Sequence, residues 1–459
     1  TISVNPNNAS LKSPKGSNII MDNGGLLMIG AGLASIPQDV DTILPSAFEG
    51  NKQIKEIEIP ETVNTISRSA FRNSSLKRIV IKAKIDKISE SLFEKCRDLE
   101  EVILPDGITE IATKAFAGCK KLKSIVLPKS VKVIGFDAFK YSGIEHIDLP
   151  ESLEVINDGA FEGCVNLKVI DLTKIQLTRI GGRLFANTSL EKVEIPSCFT
   201  SIPDNCFTNC KELTEVDIDG ELQNICSSAF EGCSQITGTL TISNSITQIR
   251  GYCFKGCSNI ENIVFPEKLE VINTRAFYGC NKITSVDFPE TLERINKEAF
   301  FQSVNTSLTS SLKIPESVKI IGDHAFYNSA NTSTEIKYTV EGIGLNVWCL
   351  GLIGNATRTF SDNLTIKEGT YAIAECAFDN SLHYNKPSIN AGLSLPSSVQ
   401  YVGYYAFRNQ SITSISGMGA TKIYEIGTSA FNGCSSLTGK IDIPNKIARI
   451  GTWAFKDCS

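Results

Sequence analysis

The chain has 459 residues, of which 42% are hydrophobic and 21% are charged, proportions that are ordinary for a folded protein. Its formal net charge of −5, without any cluster of Lys and Arg, excludes the basic surface of a nucleic-acid-binding protein. No window approaches the roughly 18 consecutive apolar residues of a membrane helix, so we predict no membrane span in this chain.

The first 36 residues differ from the rest of the chain. The segment NIIMDNGGLLMIG at 18–30 places two apolar runs on either side of an Asn-Gly-Gly turn, which predicts a β-hairpin. A segment of this kind would cap the apolar edge of a repeat array. We therefore expect an N-terminal capping segment over residues 1–36.

A repeated phrase then occupies residues 37–459. PDGITEIATKAFAGC at 105–119 returns as PKSVKVIGFDAFKYS at 128–142 and PESLEVINDGAFEGC at 150–164. Each copy carries an aromatic residue that we call the anchor. The eighteen anchors are Phe48, Phe71, Phe93, Phe116, Phe139, Phe161, Phe185, Phe207, Phe230, Phe254, Phe277, Phe300, Phe326, Trp348, Phe378, Phe407, Phe431 and Phe455. Successive anchors are mostly 22 to 24 residues apart. A repeat of this length predicts a solenoid, here one domain of about 18 repeats.

Within a repeat, the residues before Pro alternate as in a strand, and Pro ends the strand because it has no N–H to donate. A second short extended segment and a turn around the anchor follow. The Pro position precedes the anchor by eleven residues throughout, so the variation in length falls in the other half of the repeat. The longest insertions, VNTSLTSS at 304–311, GNATRTFSDN at 354–363 and HYNKPSINAG at 383–392, either carry binding loops or are tolerated surface length.

The segment AFAGCKKLKSIVLPKSVKVIG at 115–135 resembles the BspA-like leucine-rich-repeat family, and the likeness extends over about nine-tenths of the chain. The resemblance implies an α/β-type repeat solenoid that is mostly β, curved, with a parallel β-sheet along one face and short turns or helical turns on the other. It also implies a cell-surface or secreted protein that attaches to host or matrix proteins or to other cells. It implies no conserved catalytic set.

Nine of the fifteen cysteines occupy one position, three residues after the anchor, where Ser, Thr and Gln stand in other repeats. This exchange predicts a small buried turn position and not a redox centre. Cys206 with Cys210 and Cys253 with Cys257 have a zinc-like spacing, but we find no histidine to complete a site and predict no metal. The three dispersed histidines predict surface positions, and without catalytic motifs we predict no enzymatic activity and no cofactor.

The central residue of each first strand should point outward, because side chains alternate between faces. In four consecutive repeats it is acidic: Asp148, Asp171, Glu194 and Asp217. Like charges on neighbouring strands repel, so a cation or basic partner is one interpretation of this column. The other is a solvated face neutralised by Lys168 and Lys192.

The same outward position is apolar in the three preceding repeats, at Val80, Ile103 and Val126. Exposed, these residues would form an apolar stripe beside the acidic column, as in a protein contact surface. Alternatively, residues 1–36 or a natural partner cover them.

We therefore predict a non-enzymatic, monomeric recognition or adhesion protein at the cell surface or secreted. It would bind a protein or glycan ligand on host, matrix or another cell through the solenoid face and the long loops. A structural spacer that projects another domain is the alternative, and an enzyme with its site in the inserted loops is a third reading. The chain ends at Ser459 just after an anchor, so we expect the array to continue beyond it.

Overall fold

The computed structural model describes residues 36–196, 199–218, 222–303 and 388–459 continuously, and short segments within 5–30 and 315–379. The chain comprises two compact units, residues 1–217 with 229–235 and residues 218–228 with 236–459. The predicted fold class is confirmed, because the chain is a mostly-β solenoid with parallel sheets and almost no helix. Among the described residues, the helical segment is one short 3-10 turn, Met418–Ala420.

In the first unit, each complete repeat places one extended segment before the Pro position and a two-residue strand after it. The strands before it are Glu56–Ile59, Arg78–Ile81, Glu101–Ile103, Lys192–Glu194 and Glu215–Asp217. The strands after it are Thr42–Ile43, Thr65–Ile66, Lys87–Ile88, Glu110–Ile111, Val133–Ile134, Val155–Ile156, Arg179–Ile180 and Ser201–Ile202.

These strands pair in parallel with equivalent strands of neighbouring turns. Glu58 lies opposite Val80, and Val80 lies opposite Ile103. In the second set of strands, Ile111 lies opposite Ile134, which is itself opposite Ile156. The register follows from the sequence, because a shift of one residue would turn every buried Ile to the solvent.

The N-terminal strands of this unit are Leu11–Lys12, Ile19–Asp22 and Leu26–Gly30. They pair with one another antiparallel, and the third pairs in parallel with Thr42–Ile43 of the first turn. The hairpin strands thus continue the sheet of the first repeat. Capping by the whole of residues 1–36 stays a prediction.

The second unit has the same two kinds of strand. Those before the Pro position are Gly238–Thr241, Ile260–Val264, Ser285–Val286, Leu364–Thr365, Leu393–Ser394 and Ile415–Ser416. Those after it are Asn224–Ile225, Gln248–Ile249, Val271–Ile272, Arg294–Ile295, Ile320–Ile321, Ala372–Ile373, Tyr401–Val402, Glu425–Ile426 and Arg449–Ile450. Two further strands, Thr359–Phe360 and Ser388–Ile389, pair in parallel. The predicted anchors Phe326 and Trp348 and most of the three long insertions lie outside the described residues.

The core of each unit is a row of stacked anchor rings. In the first unit the rings of Phe116, Phe139 and Phe161 stack with centroids 5.3 and 5.4 Å apart, and all three are fully buried. In the second unit Phe407 and Phe431 stack at 5.0 Å. Such offset rings contribute about 0.5–1.5 kcal/mol per pair beyond the burial of their area. The stack therefore holds successive turns in a fixed register and leaves the outward strand positions free.

Candidate binding surface

The predicted apolar stripe lies on the outward face of the first unit. Val80 is half-buried, Ile103 is 42% exposed and Val126 is 85% exposed. Val126 lies between Ile125 and Leu127, which point inward and are buried, as the alternation of a strand requires. Among the residues that the structure describes, none covers Val126, so the stripe is open to a partner at that end.

Ion pairs flank the stripe. Lys82 pairs with Glu58 at 2.8 Å and Arg78 pairs with Glu101 at 2.6 Å. Lys123 pairs with Glu145 at 3.0 Å beside Val126. All these side chains are well exposed, so each pair adds at most about 1 kcal/mol to stability. An apolar centre with a charged, hydrated rim is the arrangement found in protein interfaces.

The predicted acidic column is not a continuous ladder. Glu194 and Asp217 lie opposite each other on paired strands, whereas Asp148 and Asp171 lie in extended segments outside the regular strands. The side chain of Asp148 is 93% exposed and lies 3.1 Å from His146 Nε2. The side chain of Asp217 is outside the described residues.

The described carboxylates of this column each have a partner in the chain. The backbone N–H and the hydroxyl of Thr173 donate to Asp171 Oδ1, and Lys174 Nζ lies 3.3 Å from Oδ2. These hydrogen bonds, together with the Lys174 charge, lower the pKa of the Asp171 carboxyl. Lys192 lies 3.8 Å from Glu194. Charge balance at Asp171 and Glu194 therefore does not require a bound cation.

Of the two lysines that we expected to neutralise the column, only Lys192 contacts it. Lys168 Nζ pairs instead with Glu191 at 2.9 Å. The reason is register, because Lys168 lies nearer the start of its segment than Asp171 does and therefore meets the start of the next strand.

The cysteines three residues after the anchor lie in the core. Cys119, Cys164 and Cys280 are fully buried. Burial raises the pKa of the Cys164 thiol to about 12, and it raises the pKa of Cys119 well above its ordinary value. Thiols held in the protonated form are poor nucleophiles, so Cys119 and Cys164 are not suited to nucleophilic catalysis.

The two zinc-like cysteine pairs also have a structural explanation. Cys206 and Cys253 directly precede their anchors, where most other repeats have Ala, and both are buried. Across the part of the chain that the structure describes, no three His, Cys, Asp or Glu side chains come together as metal ligands. His146 is exposed, whereas His324 and His383 lie outside the described residues.

The sequence analysis missed one exposed apolar residue and one group of surface residues. Val169, 61% exposed, lies two positions before Asp171, and the same alternation that selected Asp171 would have found it. The group surrounds Tyr141, which is 54% exposed. The sequence feature that could have revealed this group is Tyr141 itself, a bulky aromatic residue at a position that is Gly or Asn in most repeats.

Comparison with known proteins agrees with this architecture. The family model for the "BspA type Leucine rich repeat region (6 copies)" matches residues 33–145, 132–261, 235–349 and 357–459. A solved leucine-rich repeat protein from Bacteroides ovatus is 21% identical, with a TM-score of 0.56, and the alignment covers 96% of this chain and 98% of that one. This likeness supports the fold.

Two other solved structures are less similar. A leucine rich cell surface protein from Faecalibacterium prausnitzii is 17% identical, with a TM-score of 0.41, and the alignment covers 98% of this chain and 95% of that one. The pneumococcal vaccine antigen PcpA is also 17% identical, with a TM-score of 0.37 and coverage of 96% and 93%. Curated protein sequences give no match. In the described part of the chain no helix has the length and hydropathy needed to cross a membrane.

Proposed function

Since the chain belongs to the BspA-type leucine-rich-repeat family, we propose that it is a non-enzymatic recognition or adhesion protein that acts at the cell surface or after secretion. Its ligand is a protein on a host cell, in the matrix or on another cell. The observation that carries this proposal is the exposed apolar stripe at Ile103 and Val126, because an apolar patch with a charged rim is a contact surface. Asp148, Asp171, Glu194 and Asp217 would extend that surface with negative charge and favour a partner with basic residues.

The buried thiols of the core support a binding role over a catalytic one. A nucleophilic cysteine needs a lowered pKa and access to solvent, whereas burial raises the pKa of Cys96 and Cys119. Asp171 and Glu194 lie on successive turns and pair with Lys174 and Lys192. Such groups suit recognition, because catalytic acids and bases work within a pocket.

The test is direct binding to a panel of immobilised extracellular-matrix proteins, measured by surface plasmon resonance. The double variant Ile103→Ser, Val126→Ser should lose at least about tenfold in affinity, because each buried apolar side chain at an interface contributes on the order of 1 kcal/mol or more. Val264→Ser is the matched control, since Val264 occupies the same outward position in the second unit and is 49% exposed. Equal binding by both variants and the wild-type chain would refute the proposal for the stripe.

The acidic residues are tested separately. The test uses the combined variant Asp148→Asn, Asp171→Asn, Glu194→Gln, Asp217→Asn. Association with the partner should become slower and less dependent on salt, because charges at the rim of an interface steer the approach of the two proteins. Unchanged association rates at low salt would remove the acidic column from the binding surface and leave the stripe unaffected.

The spacer function is the second candidate, and the ring stack supports it. Eight successive ring pairs from Phe48 to Phe230 stack at 4.9 to 5.8 Å in the first unit. A stack of this kind resists bending between turns, as a spacer requires. If no matrix or cell-surface protein binds the wild-type chain, the spacer becomes the better interpretation.

A further inference from the structure

The first unit contains an open groove of about 500 Å³ that is separate from the strand-face surface described above. Its walls come from residues two to five positions after the anchors of four successive turns. The side chains that define it are Lys95, Arg97, Lys120, Tyr141, Val165 and Asn166. This volume lies within the range of about 300–1,000 Å³ for small-ligand sites.

Glycines form the floor of the groove. A Cβ atom on Gly143 would lie 2.1 Å from the carbonyl oxygen of Lys120, and one on Gly163 would lie 2.2 Å from the Tyr141 ring. Side chains at these positions are therefore excluded by contact with the neighbouring turn. The Lys120 carbonyl and the Tyr141 ring occupy the space that these side chains would need, so the neighbouring turns pack directly on the glycines.

Tyr141 has an unusual backbone conformation for an aromatic residue. Its φ is 56°, in the left-handed region that Asn and Gly tolerate best. Other turns place Asn73, Asn187 and Asn209 at the same position, with φ between 55° and 60°. The same conformation recurs at Lys95, Tyr252 and Tyr405, with φ of 62°, 59° and 54°, so it belongs to the turns of the repeat. At Tyr141 it places an exposed aromatic ring at the edge of the groove.

The charge of the groove is opposite in sign to that of the whole chain. Three lining residues are cations and none is acidic, although the chain carries a formal net charge of −5. Lys95 lies 3.5 Å from Glu94. The side chains of Arg97 and Lys120 have no hydrogen-bond or ion-pair partner among the residues described. Two cationic groups are thus available to an anion.

Nearby acidic residues are occupied by other cations. Asp98 pairs with Lys121 at 3.0 Å, and this pairing lowers the pKa of the Asp98 carboxyl. Glu162 lies 3.0 Å from Lys140. Asp98 and Glu162 therefore leave the charges of Arg97 and Lys120 unpaired.

The backbone of the groove offers no edge for a peptide. The N–H groups of Gly118, Tyr141 and Gly163 all donate to carbonyls of the next turn, at 2.7, 2.8 and 2.8 Å. Binding of a peptide by strand addition needs unpaired backbone groups. A ligand here must be held by side chains, namely an aromatic face and cations.

From these observations we infer that the groove binds an acidic oligosaccharide, one that carries sulfate or carboxylate groups. The C–H groups of a sugar ring pack against the exposed part of the Tyr141 ring, whose π-system is negative and attracts these weakly positive groups. Lys140 Nζ lies 5.5 Å from the centroid of the same ring and adds positive charge beside it. Arg97 and Lys120 pair with the acidic substituents, and charge-assisted hydrogen bonds of this type are the strong ones. The four turns span roughly 14 Å at about 4.8 Å per turn, enough for an oligosaccharide of several units.

The inference is tested with the full chain and a fluorescent hexasaccharide of chondroitin sulfate, by fluorescence anisotropy. Binding should weaken as salt rises from about 50 to about 200 mM, because the charged contacts are screened. The double variant Arg97→Ala, Lys120→Ala should lose at least about tenfold in affinity. Lys211→Ala is the matched control, since Lys211 stands four positions after Phe207 in a turn outside the groove and should bind like the wild-type chain.

Tyr141→Asn separates binding from folding. Asn relieves the backbone strain, so the variant should be at least as stable as the wild-type chain, while it should lose about fivefold or more in affinity for the hexasaccharide. Equal binding of uncharged cellohexaose would overturn the inference, as would tighter binding of a hexaglutamate peptide that is insensitive to Tyr141→Asn. The Ile103→Ser, Val126→Ser variant should bind the hexasaccharide normally, so failure of the adhesion surface and failure of this groove are distinguishable.

Discussion

The Sγ atom of Cys164 donates a hydrogen bond of 3.1 Å to the carbonyl oxygen of Phe139, the anchor of the preceding turn. The same contact joins Cys96 to Phe71 at 2.9 Å and Cys280 to Phe254 at 3.1 Å. Ser303 makes the same contact with the carbonyl of Phe277, whereas Thr188 donates to the carbonyl of Phe185, the anchor of its own turn. The position therefore requires a small buried donor that satisfies a core carbonyl.

This relationship predicts the effect of two substitutions that differ by one hydroxyl group. Cys164→Ser should retain the donor and lose less than about 1 kcal/mol of unfolding free energy. Cys164→Ala leaves the Phe139 carbonyl unpaired and should lose about 1–3 kcal/mol. Urea denaturation followed by circular dichroism measures both. Equal losses for the two variants would show that the hydrogen bond does not stabilise the turn.

The raised thiol pKa values predict a loss of stability at alkaline pH. Burial raises the pKa of Cys164 and of Cys434 from 9.0 to about 12. Between these two values the folded chain binds more protons than the unfolded chain, so the free energy of unfolding falls as pH rises. The contribution is complete below pH 9 and is lost as pH rises from 9 towards 12. Each thiol contributes a slope of at most about 1.4 kcal/mol per pH unit.

Melting temperatures measured across this alkaline range test the prediction. The Cys164→Ser variant provides the control, because a serine hydroxyl does not ionise there. Its stability should fall less steeply than that of the wild-type chain. Identical pH dependence in the two proteins would mean that other groups, such as tyrosines and lysines, produce the loss.

The ring stack predicts a large cost for removing one anchor. Phe161 is fully buried and stacks on Phe139 at 5.4 Å and on Phe185 at 5.8 Å. Phe161→Ala should destabilise the chain by about 3–5 kcal/mol, because it removes both stacks and leaves a cavity. Phe455→Ala is a useful comparison, since Phe455 is half-buried and stacks on Phe431. A smaller loss for Phe161→Ala than for Phe455→Ala would contradict the role of the stack.

A buried ion pair in the second unit predicts another large effect. Arg408 binds the fully buried Asp379 carboxylate through two hydrogen bonds, Nε to Oδ1 at 3.0 Å and an Nη to Oδ2 at 2.7 Å. The guanidinium also stacks over the Tyr405 ring at 4.1 Å. Arg408→Ala should cost about 3–5 kcal/mol, because a buried carboxylate would lose its cation.

Replacing both partners separates the pair from its surroundings. The double variant Arg408→Met, Asp379→Leu should recover most of the lost stability, since no charge is then buried. Thermal unfolding of the single and double variants gives the comparison. If the double variant is no more stable than Arg408→Ala, the loss arises from packing and not from the uncompensated carboxylate.

The repeat was sufficient to predict the scaffold. Phe48 through Phe300 were assigned as anchors from their spacing, and twelve successive anchors over this range are fully buried. The inward alternation at Ile125 and Leu127 was also predicted, and both are buried. Repetition made these assignments secure, because every turn must bury the same face against its neighbours.

Side-chain pairing was not predictable in the same way. Lys168 and Lys192 both stood near the acidic column in the sequence, yet only Lys192 approaches it, at 3.8 Å from Glu194. Asp148 pairs with His146 and Asp171 with Lys174, contacts that depend on where each segment leaves the strand. A long surface side chain can reach several partners, and the choice among them depends on differences of less than about 1 kcal/mol.

The sequence by itself determined the period, the anchors, the inward and outward strand positions and the family, because these depend on a pattern that each turn repeats. The tertiary structure decided which outward residues are exposed and which charges are paired. It also showed that Arg97, Lys120 and Tyr141, from three different turns, border one groove. The physical reason is that residues about 23 positions apart become neighbours only when the turns stack, so a surface formed across turns has no local signature in the chain.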